Sequence, residues 1–451
     1  MNNKNSDLQK TKASQFIINE YRLHNYDSDN NDFIEVQNVY SPSFPVIIKS
    51  DGTIWELGAL YLNYLLIEKK ASSKLLKTVA YDLLDFLRFM ESNNIGMLHL
   101  PEEEELRVSF RYRQNLINRK DLSKNTASQR INRIVDFYNF CFKEKLFAKE
   151  ELKNRVYKKL KIRLTWFSSY GSLINEEKET TNLAIRRSAR SVQTADSILD
   201  GRQLHPLTDK EQDIFEEYLS KYGTRMFQLI CSLAINTGAR IQPICTLRVN
   251  DIKKLIRNKS IVKGHYSLKI GDETTIDNKG GKNQKILIPI WLVEDINRYI
   301  DSEEWKERAG KSYYKFDNNY VFLSKFGNSL YTSRQEIQDR KFKLYPSNDK
   351  FVEKSGEVVR KYLEDIRIIM LKDNVNIRRF SMHDLRATFG LNLLNILKKS
   401  NLNENQIIGE IQERMGHTNR NVTLEYLNYN LRNEAYARVC EEYEKIIYRF
   451  D

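Results

Sequence analysis

Residues 236–252 read NTGARIQPICTLRVNDI, a helix-breaking Asn236-Thr237-Gly238 followed by Ala239 and Arg240 before apolar residues resume. A glycine just after an apolar run is the usual end of a helix, so Arg240 is expected at the start of whatever follows the break. Upstream, Met226 to Ile235 is apolar except for Gln228 and Ser232, too short to cross a membrane and suited to a buried helix. Downstream, HYSLKI (265–270) and KILIPI (285–290) flank TTIDNKGGKNQ (274–284), a polar turn rich in glycine and lysine, which predicts a hairpin. Further on, the segment S-M-H-D-L-R (381–386) carries His383 and Arg386, and Met415-Gly416 precedes His417. Tyr426 lies nine residues after His417. Helical patterns dominate from residue 206 to the end, around a charged, irregular stretch at about 301–358.

The first half has a different texture. Residues 1–58 open on the polar MNNKNSDLQKTKASQ and continue into two β-branched and aromatic runs, FIEVQNVY (33–40) and FPVIIKSDGTIW (44–55). A leader with a small strand-bearing appendage is the expectation. From residue 59 to about 165 the period is helical. Leu76, Val79, Ala80, Leu83, Leu84, Leu87 and Met90 form one amphipathic stripe, and Ile131, Ile134, Val135, Tyr138 and Phe142 form a second. Ser123 or Asn125 is the N-cap of the second helix, and Lys124, Arg130 and Arg133 fall off its stripe. Residues 166–205, rich in Ser, Thr and Asn and bearing Arg186, Arg187 and Arg190, have the composition of a linker. The second domain is expected at 206–451.

The chain has 451 residues, room for two or three domains at roughly 150 residues each. Hydrophobic residues make up 41%, enough to bury a core, and the 73 lysines and arginines exceed the 60 acids by thirteen. Such a surplus suits a polyanionic partner, nucleic acid or an anionic membrane surface. The four cysteines form no C-x-x-C pair and have no histidine at metal-finger spacing, so neither a disulfide framework nor a structural zinc site is signalled. With no apolar signal segment, a cytoplasmic setting is the expectation.

Two arginines, two histidines, a hairpin lysine and a tyrosine suit attack on a phosphodiester without a metal. Guanidiniums offer paired donors to the non-bridging oxygens and stabilise the charge that builds on them in the transition state. Imidazole or lysine can exchange protons with the attacking and leaving oxygens, and tyrosine is a serviceable nucleophile. Each residue alone has a duller reading: a surface cation, a capping histidine, or one of 25 tyrosines.

The order of these pieces resembles the tyrosine recombinase, or phage integrase, family. Its T-G-x-R and following segment is matched by Thr237, Gly238, Arg240, Leu247, Asp251 and Ile252. Its H-D-L-R-H-T-F is matched by His383, Asp384, Leu385, Arg386, Thr388 and Phe389, and its L-G-H-to-tyrosine run by Gly416, His417, Thr423 and Tyr426. YDLLDFLRFM and LSKNTASQRINRIVDFYNF resemble its core-binding helices, so the likeness spans about residues 59–430. The resemblance implies a mainly α fold with small β hairpins, in which a helical, SAM-like core-binding domain and a catalytic domain form a C-shaped clamp. It also implies that the enzyme cleaves and rejoins DNA through a 3′-phosphotyrosyl intermediate, in integration, excision or transposition of a mobile element. No metal or nucleotide cofactor is implied; the partners implied are duplex DNA at specific sites and three further protomers, through a Holliday junction, with accessory proteins as possible helpers.

On that resemblance Arg240 and Arg386 clamp the phosphate, His383 handles a proton, His417 binds a non-bridging oxygen and Tyr426 is the nucleophile, with Tyr429 one turn away as the false candidate. The general acid falls among Lys279, Lys282 and Lys285, with Lys279 preferred and Lys282 close behind. Lys124, Arg130 and Arg133 become DNA contacts. The tail residues Leu431, Ala435, Val439 and Ile446 or Ile447 would pack on a neighbouring protomer or on their own domain. Pro243 stands where the family usually has an acid, and Ala387 where histidine is common. A type IB topoisomerase and a non-catalytic DNA-binding regulator are the rival readings.

Overall fold

Most helices of this chain begin where a short polar side chain caps them. The computed structural model describes residues 12–147, 152–167, 173–186, 197–259, 261–262, 264–345, 351–375 and 377–447. They fall into two compact units that divide near residue 191.

In the first unit, β1 (Ser14–Asp27) and β2 (Asp32–Ile48) pair antiparallel, from Ser14 opposite Ile48 to Asp27 opposite Asp32. Helices α1 (Glu56–Ile67), α2 (Ser73–Asn93), α3 (Val108–Asn118), α4 (Lys124–Lys143) and the single turn α5 (Lys153–Val156) follow. A second hairpin, β3 (Lys159–Phe167) with β4 (Leu173–Thr181), ends the unit. The Ser72 side chain accepts from the Leu75 N–H to start α2, and Ser123 accepts from Thr126 to start α4, which resolves the N-cap choice. Every residue of both expected stripes is buried, and they meet Phe44, Ile47, Trp55 and Tyr61 in one core.

Two strand assignments differ from the expectation. The two runs in 33–48 are one continuous strand, and its partner is 14–27, where interrupting polar residues hide the strand pattern. The far end of this hairpin exposes Tyr26, Phe33 and Ile34, whereas its near end belongs to the core. Residues 159–181 form a hairpin where a helix end and a linker are expected. Lys161 faces Glu179 and Arg163 faces Glu177, opposite charges across the strands, and the alternation K-L-K-I-R-L at 159–164 is a period-two signal lying within the stretch expected to be helical. Of the basic cluster there, Arg187 and Arg190 lie outside the described residues.

The second unit opens with the small hairpin β5 (Ile198–Asp200) and β6 (Arg202–Leu204), again within the stretch read as linker. Then come α6 (Asp209–Tyr222), α7 (Arg225–Thr237), α8 (Ile241–Thr246) and α9 (Val249–Asn258). A three-stranded antiparallel sheet of β7 (Ile261–Val262), β8 (His265–Ile270) and β9 (Gln284–Pro289) contains the expected hairpin. Helices α10 (Ile290–Ile300), α11 (Glu303–Gly310), α12 (Arg334–Lys341), α13 (Glu357–Lys372), α14 (Met382–Lys398), α15 (Glu404–Met415) and α16 (Arg420–Ile447) complete it. The fold is thus mainly α with small antiparallel sheets. Phe227, Ile230, Cys231 and Ala234 of α7 are fully buried, while Gln228, Ser232 and Asn236 form its part-exposed polar face. A separate cluster of Ile198, Leu204, Phe389, Ile411, Met415, Tyr426 and Tyr429 ties β5–β6 to α14, α15 and α16. No described helix is long and apolar enough to cross a membrane.

Candidate active site

Two glycines in the left-handed region place the basic groups. Gly238 ends α7 at φ +65°, and a Cβ there would overlap the Phe389 ring, so the chain turns tightly into Arg240 as the N-cap residue of α8. Gly416 ends α15 at φ +62° against the Gln284 side chain, delivering His417. The Ser381–Asp384 capping box starts α14, which carries His383 on its first turn and Arg386 one turn on. Tyr426 projects from α16. Pro243 lies in the first turn of α8, where a missing N–H costs nothing, and supplies no carboxylate.

Arg386 is 1% exposed. Its two terminal nitrogens donate to the carbonyls of Gly238 and Met415, at the C-terminal ends of α7 and α15, where the helix dipoles favour a cation. Its Nε faces Asp200 Oδ2 at 3.7 Å. The same oxygen receives His417 Nε2 at 3.3 Å and the Tyr426 hydroxyl at 3.5 Å. A carboxylate only accepts, so His417 carries its proton on Nε2, and its Nδ1 accepts from the Thr423 hydroxyl at 3.0 Å. The His417 and Tyr426 rings lie 5.7 Å apart. Two buried donors in this cluster, Nε of Arg240 and Nε of Arg386, have no hydrogen-bond partner.

Burial and charge set the protonation states. Burial pushes the Asp200 carboxyl up, but the His417 hydrogen bond and the charges of Arg386, His417 and His383 outweigh it and hold the group well below the usual carboxylate range. Burial, assisted by Arg240, lowers Arg386 to about 10. Burial, against the opposing pull of Asp200 and with the repulsion of Arg386, Arg202 and Arg240, lowers His383 to about 4, so it is neutral at pH 7. His417 is lowered chiefly by burial. Tyr426 is raised well above its ordinary value by burial and then by Asp200.

Arg240, His383, Arg386, His417 and Tyr426, spread over 187 positions of sequence, therefore act on one another in space. Tyr429 shares the apolar cluster with Tyr426, at 5% exposure, but it is the Tyr426 hydroxyl that reaches Asp200. Of the hairpin lysines, Lys282 donates from Nζ to Thr418 Oγ1 at 3.1 Å, beside His417, and Gln284 anchors the hairpin to the Arg414 carbonyl at 3.2 Å. Lys279 is an exposed residue of the turn between β8 and β9. Asp200 was missed by the sequence reading. The available signal was Asp200-Gly201 between apolar Ile198 and Leu204, an Asp-Gly hairpin turn set in a stretch taken for linker.

The α4 cations divide. Lys124 is exposed at the helix start. Arg130 is 3% exposed, hydrogen-bonded from Nε to Asp82 Oδ1 at 3.0 Å and 2.8 Å from Asp85 in an approach too bent for a hydrogen bond. Its guanidinium is thus occupied within the helical unit, an arrangement that weighs against the DNA contact expected of it. Arg133 shares Asp82 and keeps its side chain 24% exposed. Among the described residues no cluster of His, Cys, Asp and Glu could hold a metal ion.

Residues 207–432 match the model of the phage integrase family. Among solved structures, the chain is similar to the XerH site-specific recombinase bound to palindromic difH substrate in a post-cleavage complex, at 15% identity and TM-score 0.45 over 83% of this chain and 82% of that one. It is similar to a lambda integrase dimer bound to a COC′ core site at 12% identity and TM-score 0.44, over 82% and 76%. The Tn1549 transposon integrase in complex with circular intermediate DNA matches at 14% identity and TM-score 0.40, over 82% and 94%. No curated protein matches the sequence.

Proposed function

The chain belongs to the phage integrase family, the tyrosine recombinases, and from that premise we propose how its own residues carry out site-specific DNA recombination. The observation that carries the proposal is the convergence of His417, Arg386 and Tyr426 on one acceptor oxygen, with Arg240 and His383 beside them. That acceptor position suits a non-bridging oxygen of the scissile phosphate.

Tyr426 Oη attacks phosphorus, the bond from phosphorus to the 5′ oxygen breaks, and the 3′ phosphate becomes linked to the tyrosine. The Nε donors of Arg240 and Arg386 and the Nε2–H of His417 stabilise the charge on the equatorial oxygens. His383, neutral at pH 7, accepts the phenol proton, and the charge of the entering phosphate raises its basicity. A hairpin lysine gives a proton to the departing 5′ oxygen. Lys282, beside His417, is favoured over Lys279 on geometry. Attack by a 5′ hydroxyl of the partner duplex reverses these steps and joins the exchanged strand, so the energy of each broken bond is kept in the phosphotyrosine. Four protomers on two paired sites supply the four tyrosines that a complete exchange through a Holliday junction needs. The helical unit at 59–165 grips the duplex, with Lys124 as one phosphate contact, which makes affinity salt-sensitive.

The recombination site is recovered by sequencing the DNA that remains attached to denatured protein. On a nicked duplex carrying it, Tyr426→Phe binds with wild-type affinity and forms no covalent adduct, whereas Tyr429→Phe forms it. An undiminished adduct in Tyr426→Phe refutes the nucleophile assignment.

A further inference from the structure

We infer that Asp200 is an internal stand-in for the phosphate, an anion carried on the β5–β6 turn that fills the site until DNA displaces it. The inference rests on the roles proposed above for Arg386, His417 and Tyr426.

A single carboxylate oxygen is met by His417 Nε2 at 3.3 Å, by the Tyr426 hydroxyl at 3.5 Å and by Arg386 Nε at 3.7 Å. Those are the groups that would hold and attack a phosphate. A phosphodiester oxygen does not readily join Asp200 there, because two like charges that close repel strongly in a buried site of low effective dielectric. Occupancy by Asp200 also disables the nucleophile. Tyr426 is 0% exposed and donates its hydroxyl hydrogen bond to a carboxylate, which holds the proton on the phenol oxygen.

The stand-in is imperfect in a way that favours exchange. Nε of Arg240 and Nε of Arg386 remain buried without a hydrogen-bond partner. Buried unsatisfied donors are costly, and a phosphate with two non-bridging oxygens can reach donors that one carboxylate oxygen does not. The turn is built to let its tip move while its base stays. Ile198 and Leu204 are 0% exposed in the apolar cluster and anchor the two strands, while Gly201 between them sits at φ +72°. The tip is latched by Arg202, which reaches Ser381 Oγ and lies 3.7 Å from Asp384. The Arg202 side chain is 56% exposed, so an arriving DNA backbone can compete for the latch.

The test uses the full chain with Asp200→Asn, nearly isosteric but uncharged, and Arg202→Ala, which leaves the groups of the site intact. Thermal unfolding verifies that each folds. Two readouts are taken: the initial rate of covalent adduct formation on the nicked duplex, and affinity for inorganic phosphate by titration calorimetry. If the turn is closed about nine times in ten, both readouts rise about tenfold when it is released. A lower adduct rate in Asp200→Asn with phosphate affinity unchanged would make Asp200 a supporting carboxylate and overturn the inference. Unchanged values in Arg202→Ala, should Asp200→Asn not fold, also overturn it. If no protein forms adduct while Asp200→Asn still binds phosphate more tightly, the proposed catalytic roles fail and the stand-in survives.

Discussion

Gly390→Ala tests whether the placement of the Tyr426 ring governs cleavage. A Cβ at position 390 would lie 2.6 Å from Tyr426 Cε1, 3.0 Å from Cδ1 and 3.2 Å from Met415 Cε. Carbon atoms rest about 3.5–4.0 Å apart, so the tyrosine ring must retreat by about 1 Å, while the Met415 methyl can yield by rotation. The ring is fully buried, with His417 on one side, so its retreat is resisted. Overpacking costs about 1–3 kcal/mol, offset by the roughly 0.5–1 kcal/mol that alanine gains over glycine inside a helix. A net loss of about 0–2.5 kcal/mol lowers the melting temperature by about 2–4 °C per kcal/mol. A reacting atom misplaced by about 1 Å costs about a hundredfold in rate. The expected result is an adduct rate down about a hundredfold on the nicked duplex, measured at saturating DNA, with unchanged binding and a modest fall in melting temperature. Gly409→Ala on α15, where a Cβ meets nothing within 4 Å, is the matched control and should leave the rate unchanged. A Gly390→Ala rate within about twofold of wild type would mean that the observed ring position does not govern attack, and would refute the reasoning.

Two further predictions concern cations. Arg130→Ala strips the 4%-exposed Asp82 carboxylate of one of its two guanidinium partners and leaves it Arg133, so the loss falls below the roughly 3–5 kcal/mol of a fully broken buried pair but still lowers the melting temperature clearly. Lys124→Ala should leave the melting temperature unchanged and flatten the salt dependence of DNA affinity; the reverse pattern would make Arg130 the DNA contact after all. For the general acid, Lys282→Ala and Lys279→Ala are compared on a normal duplex and on one whose leaving 5′ oxygen is replaced by sulfur. A thiolate leaves without a proton, so the sulfur substrate rescues only the variant that lacks the proton donor. Rescue of Lys279→Ala alone would return the role to Lys279.

The helical skeleton was legible because its signals are local. The stripes of α2 and α4, the Ser123 cap and the stop at Gly238 each follow from residues within a turn or two of one another. The hairpins were read well only where a glycine-rich polar turn separated two β-branched runs, as in β8–β9. The pairing of 14–27 with 32–48 was not legible, because β1 is nowhere fully buried, its half-buried positions mix polar with apolar residues, and the strand is recognisable only from its partner. The hairpin of 159–181 was obscured for a different reason. Its first strand falls at the end of a stretch read as helical and its second in one read as linker from its Ser, Thr and Asn content, so the cross-strand pairs Lys161–Glu179 and Arg163–Glu177 span two segments that were read separately.

The positive surplus illustrates the same limit at the level of function. Charge counting treats Lys124, Arg130 and Arg133 as equivalent, yet Asp82 and Asp85, about fifty positions earlier in the chain, take up Arg130 and share Arg133, while Lys124 faces solvent. The catalytic-unit cations divide in a comparable way. Arg386 spends two nitrogens joining the ends of α7 and α15 and presents the third to Asp200. A motif reading groups Arg240, His383, Arg386, His417 and Tyr426 because it looks for the donors of a phosphate site. It does not look for an acceptor, and the one that meets them lies 217 positions before His417 and 226 before Tyr426. Buried cations need a counter-charge, so a cluster of this kind, read from sequence in a chain without its substrate, is grounds to search the remaining sequence for an acid on a tight turn between apolar anchors. Ile198-Leu199-Asp200-Gly201-Arg202-Gln203-Leu204 meets that description.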